Sequence, residues 1–258
     1  MKIKDFVLKL QEMYPVENAE EWDPTGYSVK FNQAKKLRGV LLAIDVTADV
    51  VNQAIANDCN LIVTHHPFFF EETKELEKEK APYKFDLYKK LKEYQITVYA
   101  MHTNYDCEPR GTSFQIAKYL GLANNVRVNS PKFAALVDHK TTINELSNLI
   151  KLKLRLTSFR TNVKFNELNK QIQSFAILSG SGYVGQINEL GHQVDLIISS
   201  DFRWSDWINF RENNISMLEI PHLDEEVFAY HMFEELPRIF PKVRFFLVKT
   251  ENPYYNLD

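Results

Sequence analysis

The sequence predicts an α/β protein whose sheets are mostly parallel and covered by helices on both sides. Three observations carry that prediction. Short apolar runs that read as buried strands alternate with segments of helical spacing. Short polar clusters sit at the strand exits, where such sheets gather ligands. The length, 258 residues, suits one or two domains and buries enough surface to fold without a disulfide or a metal.

The elements follow in order. Residues 3–13 place Ile3, Phe6, Val7, Leu10 and Met13 at helical spacing. Residues 37–44 (LRGVLLAI) read as a buried strand, and Asp45-Val-Thr opens a helical pattern through Ala56. A second strand, 60–64, ends abruptly at His65-His66-Pro67. The charged stretch 71–81 reads as a solvated loop or exposed helix. Helical spacing returns at 83–94, a strand follows at 96–101, and it exits into His102-Thr103-Asn104-Tyr105-Asp106. Residues 111–120 form another helix, with Gly121 as its stop.

The polar stretch 124–131, ending in Ser-Pro, is the expected domain boundary. It divides the chain into 1–128, carrying the two histidine motifs, and 129–258, carrying a glycine turn and His222-Leu-Asp-Glu-Glu226. In the second half, 133–137, 174–178, 194–199 and 215–220 read as strands. Residues 142–152, 183–190, 204–213 and 223–236 read as helices. A last strand, 243–248, pairs with one sheet or the other; the pattern alone does not decide which.

Composition excludes several classes. Hydrophobic residues at 45% and charged residues at 25% are those of a globular chain, not of a disordered tail, a collagen or a coiled coil. A net charge of −3 argues against a nucleic-acid binder that works by bulk charge. Cys59 and Cys107 make no disulfide framework and no CxxC pair. The N-terminus lacks the features of a signal peptide, and no apolar run approaches the roughly 20 residues that span a bilayer. A soluble, cytoplasmic protein is expected.

Chemistry concentrates at three strand exits. His65 and His66 are adjacent on an extended chain and point to opposite sides, which suits two metal ions better than one. Asp106 can bind or bridge cations beside them if strands 60–64 and 96–101 are neighbours. His102 either ligates directly or orients a ligand. Pro221 suits a helix start. His222 and Glu226 then lie four apart on one helical face, with Glu225 turned elsewhere. Taken singly, each cluster also reads blandly, as surface loop residues, a helix cap or an acidic helix start.

Together His65, His66, Asp106, His222 and Glu226 form a nitrogen and oxygen ligand set. Such a set favours zinc, manganese, iron, cobalt or nickel over calcium. Two carboxylates leave two divalent ions with net positive charge, which suits a hydroxide, a phosphate or another anionic substrate group. Ions ~3.5–4 Å apart generate a nucleophilic hydroxide and clamp the attacked centre. Gly180-Ser181-Gly182-Tyr183-Val184-Gly185 fits GxGxxG with Asp201 beyond it, but no further dinucleotide signal supports it. A turn offering N–H groups to an anion, or a packing turn, accounts for it better. Trp22, Trp204 and Trp207 read as core or interface, and Phe68-Phe69-Phe70 as pocket lining or an oligomer contact.

The chain resembles the GTP cyclohydrolase 1 type 2 family, also called NGG-interacting-factor-three-like, along nearly its whole length. Glu21-Trp22-Asp23-Pro24-Thr25-Gly26 is similar to that family's WDNxG segment, and Leu61–Pro67 to its LIxxHHP strand exit. His102–Asp106 matches HTNxD, Ser179–Gly182 its glycine turn, residues 194–201 its DxxITGD strand, and His222–Glu226 its GHxxTE. HHP and HTNxD are specific when about 35 residues apart, as here. The resemblance implies two three-layer α/β/α domains facing each other across a dinuclear metal site. Its ligands fall on His65, His66, Asp106, His222 and Glu226, and no large inserted middle domain is present. It further implies a toroidal homohexamer with sites facing an inner cavity. Pro24, Ser200, Ser205, Pro221 and Glu225 depart from the family pattern. None removes a ligand; all bear on the surroundings of the site and so on the substrate.

The expected function is a metal-dependent hydrolase acting on a nucleotide or related phosphorylated compound through a metal-bound hydroxide. His102 and Asp201 are the expected supporting residues. The alternative is a non-enzymatic metal-binding ring that handles metal or recruits a protein.

Overall fold

The computed structural model describes residues 1–255. The chain divides into two compact units: Met1–Glu108 with Phe228–Glu251, and Pro109–Val227 with the residues from Asn252. The first unit contains α1 (Ile3–Met13), β1 (Gly26–Val29), β2 (Val40–Ala43), α2 (Ala48–Ala56), β3 (Leu61–Thr64), α3 (Lys74–Lys80), α4 (Tyr83–Tyr94), β4 (Thr97–Ala100) and α5 (Thr103–Asp106). The second contains α6 (Thr112–Tyr119), β5 (Ala134–Thr142), α7 (Ile143–Leu154), β6 (Arg160–Thr161), β7 (Gln171–Leu178), α8 (Val184–Leu190), β8 (Leu196–Ser199), α9 (Trp204–Glu212) and β9 (Met217–Glu219). The chain then returns to the first unit through α10 (Val227–Ile239) and β10 (Phe245–Leu247).

In the first unit the sheet order is β1-β4-β3-β2-β10. Strands β10, β2, β3 and β4 are parallel, and β1 runs antiparallel along β4. The central strands are buried on both faces, which is why they read as continuous apolar runs. Alternate residues serve two cores. Val40, Leu42, Leu61, Val63 and Tyr99 pack with Phe6 and Leu10 of α1 and with Phe228, Met232 and Leu236 of α10. Leu41, Ala43, Ile62 and Val98 pack with Val50, Val51 and Ala54 of α2 and Leu87 and Leu91 of α4. This is a three-layer unit. The strand expected at 243–248 joins β2 in parallel, Phe245 opposite Val40.

The second unit has the order β5-β7-β8-β9-β6, with β7, β8 and β9 parallel and antiparallel strands at both edges. Phe175, Ile177, Leu196, Ile198 and Leu218 face α6 and α7, while Ala176, Leu178, Ile197 and Met217 face α8 and α9. Helix α6, placed N-terminal to the expected boundary, seats Ile116, Ala117 and Leu120 in this second core. Conversely, the helix expected at 223–236 seats its apolar face in the first. Thr142 caps α7, and Glu145 returns a bond to its N–H at 2.9 Å, a capping box. No helix among the described residues is long and apolar enough to cross a membrane.

The charged stretch 71–81 is more than a solvated surface. Its helix α3 is capped by Thr73, and Glu77 is buried. One Glu77 oxygen accepts from the N–H groups of Phe70 and Glu71 at 2.7 and 2.8 Å; the other meets Lys84 Nζ at 2.6 Å. Burial raises this carboxyl's pKa, but the bonds from Glu71, Lys84 and Phe70 outweigh it and hold it below the ordinary value. A lowered carboxyl stabilises the fold above its unfolded pKa, about 4.3, and loses that contribution as pH falls through the lower folded value. Glu77→Ala is therefore expected to cost about 2 kcal/mol at neutral pH, since three donors lose their acceptor. Urea melts should show the gap to the parent closing in acid; a pH-independent gap would refute the assignment.

Candidate metal centre

The geometry starts at the end of β3. Thr64 Oγ1 donates to the His66 carbonyl at 2.8 Å and the His66 N–H to Ile44 at 3.0 Å, which turns the chain just past the strand. His65 is fully buried, with Nδ1 2.9 Å from the Met101 carbonyl oxygen. A carbonyl only accepts, so the proton sits on Nδ1 and Nε2 keeps the lone pair. Nε2 lies 3.6 Å from Asp106 Oδ1. His66 follows the same rule: Nδ1 lies 2.9 Å from Asp45 Oδ1. The rings of His65 and His66 are 5.1 Å apart, and ring nitrogens of His65, His66 and His102 all lie within 4.8 Å of one another.

The exit of β4 is a helical turn rather than an irregular loop. Tyr105 and Asp106 donate their N–H groups to the His102 carbonyl at 2.9 and 3.0 Å, winding Asp106 back toward His65. The segment Trp22–Gly26 locks onto this turn. Asp23 Oδ1 lies 3.1 Å from His102 Nδ1, and Oδ2 accepts from the Thr103 N–H at 2.9 Å. Thr25 Oγ1 accepts from the His102 N–H at 3.2 Å and donates to Asn104 Oδ1 at 3.0 Å. Burial pushes the Asp23 carboxyl up, but the bonds from His102 and Thr103 prevail and keep it below the usual range. Asp23 therefore stays ionised and fixes the His102 ring. Tyr105, buried beside Asp106, reaches away to His231 Nδ1 at 2.7 Å.

In the second unit His222 opens a 3-10 turn, His222–Glu226, before α10. In that geometry residues three apart eclipse, so His222 Nε2 meets Glu225 Oε2 at 2.9 Å. The α-helical face expected to join His222 to Glu226 is absent, and Glu225 is buried beside the ring rather than turned away. Glu226 is half-buried at the end of the turn. His222 Nδ1 lies 2.6 Å from Asp201 Oδ2. Burial opposes charge on this imidazole, but the field of Glu225 and the bonds to Asp201 and Glu225 overcome it and push the pKa to about 12. Asp224, buried next to Glu225, is driven the other way: burial and the Glu225 charge raise its carboxyl well above the ordinary value.

The glycine turn supports this half. Gly180 has φ +56°, and a Cβ there would lie 2.1 Å from Glu225 Oε1. The Gly182 N–H donates to Ser199 Oγ at 3.0 Å, and Ser199 Oγ donates to the Gly180 carbonyl at 2.9 Å. The turn packs closely, and the N–H groups of Gly180 and Gly182 are taken by Asp224 and Ser199. The packing reading therefore accounts for GxGxxG, and Gly185 already lies within α8.

The donors fit borderline transition ions. His65, His66, His102 and His222 each direct Nδ1 at an oxygen, respectively Met101, Asp45, Asp23 and Asp201. For His65 and His66 that is the support a metal-binding imidazole needs to present Nε2 in one orientation, whereas His222 Nε2 itself meets Glu225 Oε2 at 2.9 Å. An imidazole-rich set is foreign to calcium. The sequence pattern gave Asp45 and Asp23 no role in holding the histidines, and it turned Glu225 away from His222. Lone acids after strands or in turns signal caps as readily as partners, and only tertiary apposition separates the two.

Comparison with known proteins agrees with the motifs. A relative from Mycoplasmopsis pulmonis (strain UAB CTIP), named GTP cyclohydrolase 1 type 2 homolog, is 35% identical over 237 residues, 91% of this chain and 93% of its own. The crystal structure of a Staphylococcus aureus hypothetical protein matches 100% of this chain and 99% of its own with a TM-score of 0.86 at 23% identity. A Bacillus cereus protein related to NIF3 matches 100% of this chain and 99% of its own with a TM-score of 0.85 at 17% identity. The model of the family described as Duf34/NIF3 (NGG1p interacting factor 3) matches residues 1–253, and the chain belongs to that family.

Proposed function

We propose that this protein is a hydrolase dependent on two divalent transition ions, acting on a nucleotide or related phosphorylated compound. The proposed ligands are His65, His66, Asp106, His222 and Glu226, the set that the family resemblance implies. One observation supports this reading above the others: every histidine of the set has its Nδ1 tied to an oxygen acceptor. The bound ions would supply Lewis acidity to a water and to the attacked centre. The rest falls to the chain. His102, held by ionised Asp23, exchanges a proton with the leaving group through Nε2. Asp201 and Asp45 fix the rings of His222 and His66. Assembly as a homo-oligomer, a hexamer by family resemblance, belongs to the same proposal.

Elemental analysis of the purified protein should find about two transition ions per chain, and a nucleotide screen should find turnover that His102→Ala abolishes with metal retained. Metal without any hydrolysis would favour the metal-handling alternative; no metal after reconstitution would end the hydrolase reading. Asp45→Ala is expected to weaken metal binding about 10–100-fold by chelator competition, because His66 loses its orienting partner. Asp45 is 47% exposed, so stability should change little. An undiminished affinity would remove Asp45 from the site.

A further inference from the structure

Two exposed aromatic rings stand beside the histidine cluster, on segments tied down by hydrogen bonds. Trp22 is 60% exposed and Phe70 43%. Their ring centroids are 6.0 Å apart, and they lie 6.0 and 6.1 Å from the His102 ring. The His102 plane stands at 79° to Trp22 and 77° to Phe70, so the three rings form a corner. Each exposed ring sits on a loop pinned by a buried carboxylate. Asp23, next to Trp22, binds His102 and the Thr103 N–H. Glu77 binds the N–H of Phe70 itself. Leaving indole and phenyl faces in water adds little to folding, and fixing them serves a ring brought from outside. Glu20, Glu21 and Glu72, exposed neighbours in the chain, make the surrounding segments acidic, which disfavours an anionic ring.

We propose that Trp22 and Phe70 form a stacking subsite for the neutral nitrogen heterocycle of a nucleoside. The rings supply sequence-tolerant π contact, and the acidic neighbouring segments favour a neutral base over an anionic one. The phosphate end of the substrate depends on the metal reading given above; the stacking subsite does not, and the two are tested apart.

In the first arm, metal-stripped full-length protein is mixed with guanosine or adenosine, and saturation-transfer NMR reads the base protons. Transfer is expected for the parent and for Trp22→Phe, and its loss for Trp22→Ala. Trp22→Phe keeps a ring and so separates stacking from a folding defect. In the second arm, calorimetry on metal-loaded protein compares GMP with ribose 5-phosphate, which carries the phosphate and no base. GMP is expected to bind about tenfold tighter or more, and Trp22→Ala to erase that margin with metal content intact. Equal affinity for the two compounds, or nucleoside transfer undiminished by Trp22→Ala, overturns the subsite. Absence of bound metal with nucleoside transfer intact would overturn the hydrolase reading and leave the subsite standing.

Discussion

His65→Ala protein is expected to lose its metal, with affinity falling by roughly a hundredfold or more. A proposed ligand is removed here, and loss of a mere supporting partner already costs about 10–100-fold. The same change should also destabilise the metal-free protein. The imidazole is fully buried against Phe228, and its Nδ1 serves the Met101 carbonyl. Deleting it orphans that carbonyl and opens a void, at about 3 kcal/mol in all. His66→Ala separates the two effects, because its ring is only partly buried and its Nδ1 partner is 47% exposed. It should lose metal comparably and stability far less. Elemental analysis and urea unfolding of both variants check this; full metal content in both would remove the pair from the ligand set.

Gly180→Ala should be the most damaging of the glycine substitutions. The residue sits at φ +56°, and its new Cβ would lie 2.1 Å from Glu225 Oε1, 2.7 Å from Glu225 Cδ and 3.2 Å from His222 Nε2. Backbone strain of about 1–2 kcal/mol adds to a clash of about 1–3 kcal/mol. Glu225 is buried and cannot simply swing into water, so His222 must move with it. Gly121→Ala is the matched control: φ is +84°, but nothing lies within 4 Å of the added carbon, and only the strain remains. Urea midpoints for the two variants should differ clearly, and metal affinity should fall only for Gly180→Ala. Equal behaviour would mean the Glu225 side chain is not where the structure has it.

What the sequence made legible follows from burial. β2, β3, β4 and β8 are covered on both faces, so their apolar runs stand out and their exits expose the polar motifs. β1 and β6 escaped notice because they are edge strands buried only in part, so no continuous apolar run marks them. Periodicity finds the apolar face of α6 or α10 but not which sheet covers it, and so it could not assign either helix to its unit. At the site, the histidines and Asp106 were legible from their types and spacing. The 3-10 turn at His222 was not, because it changes only which acid meets the ring, Glu225 instead of Glu226. Asp23 and Asp45 act through contacts with residues far along the chain, a relation no local pattern records.

The return of the chain through α10 and β10 bears on the order of assembly during synthesis. Ribosomes add about 5–20 residues per second, and N-terminal segments emerge first. Here the early segment cannot finish alone. Phe228 packs on His65 and Tyr105, His231 binds Tyr105, and β10 completes the sheet beside β2. The second unit, encoded between, can close its own core while the first still waits with apolar strands uncovered. The histidine pair that is translated first is thus among the last parts of the molecule to be secured. A released chain truncated after Val227 should display a protease-resistant second unit tethered to an unfinished first one.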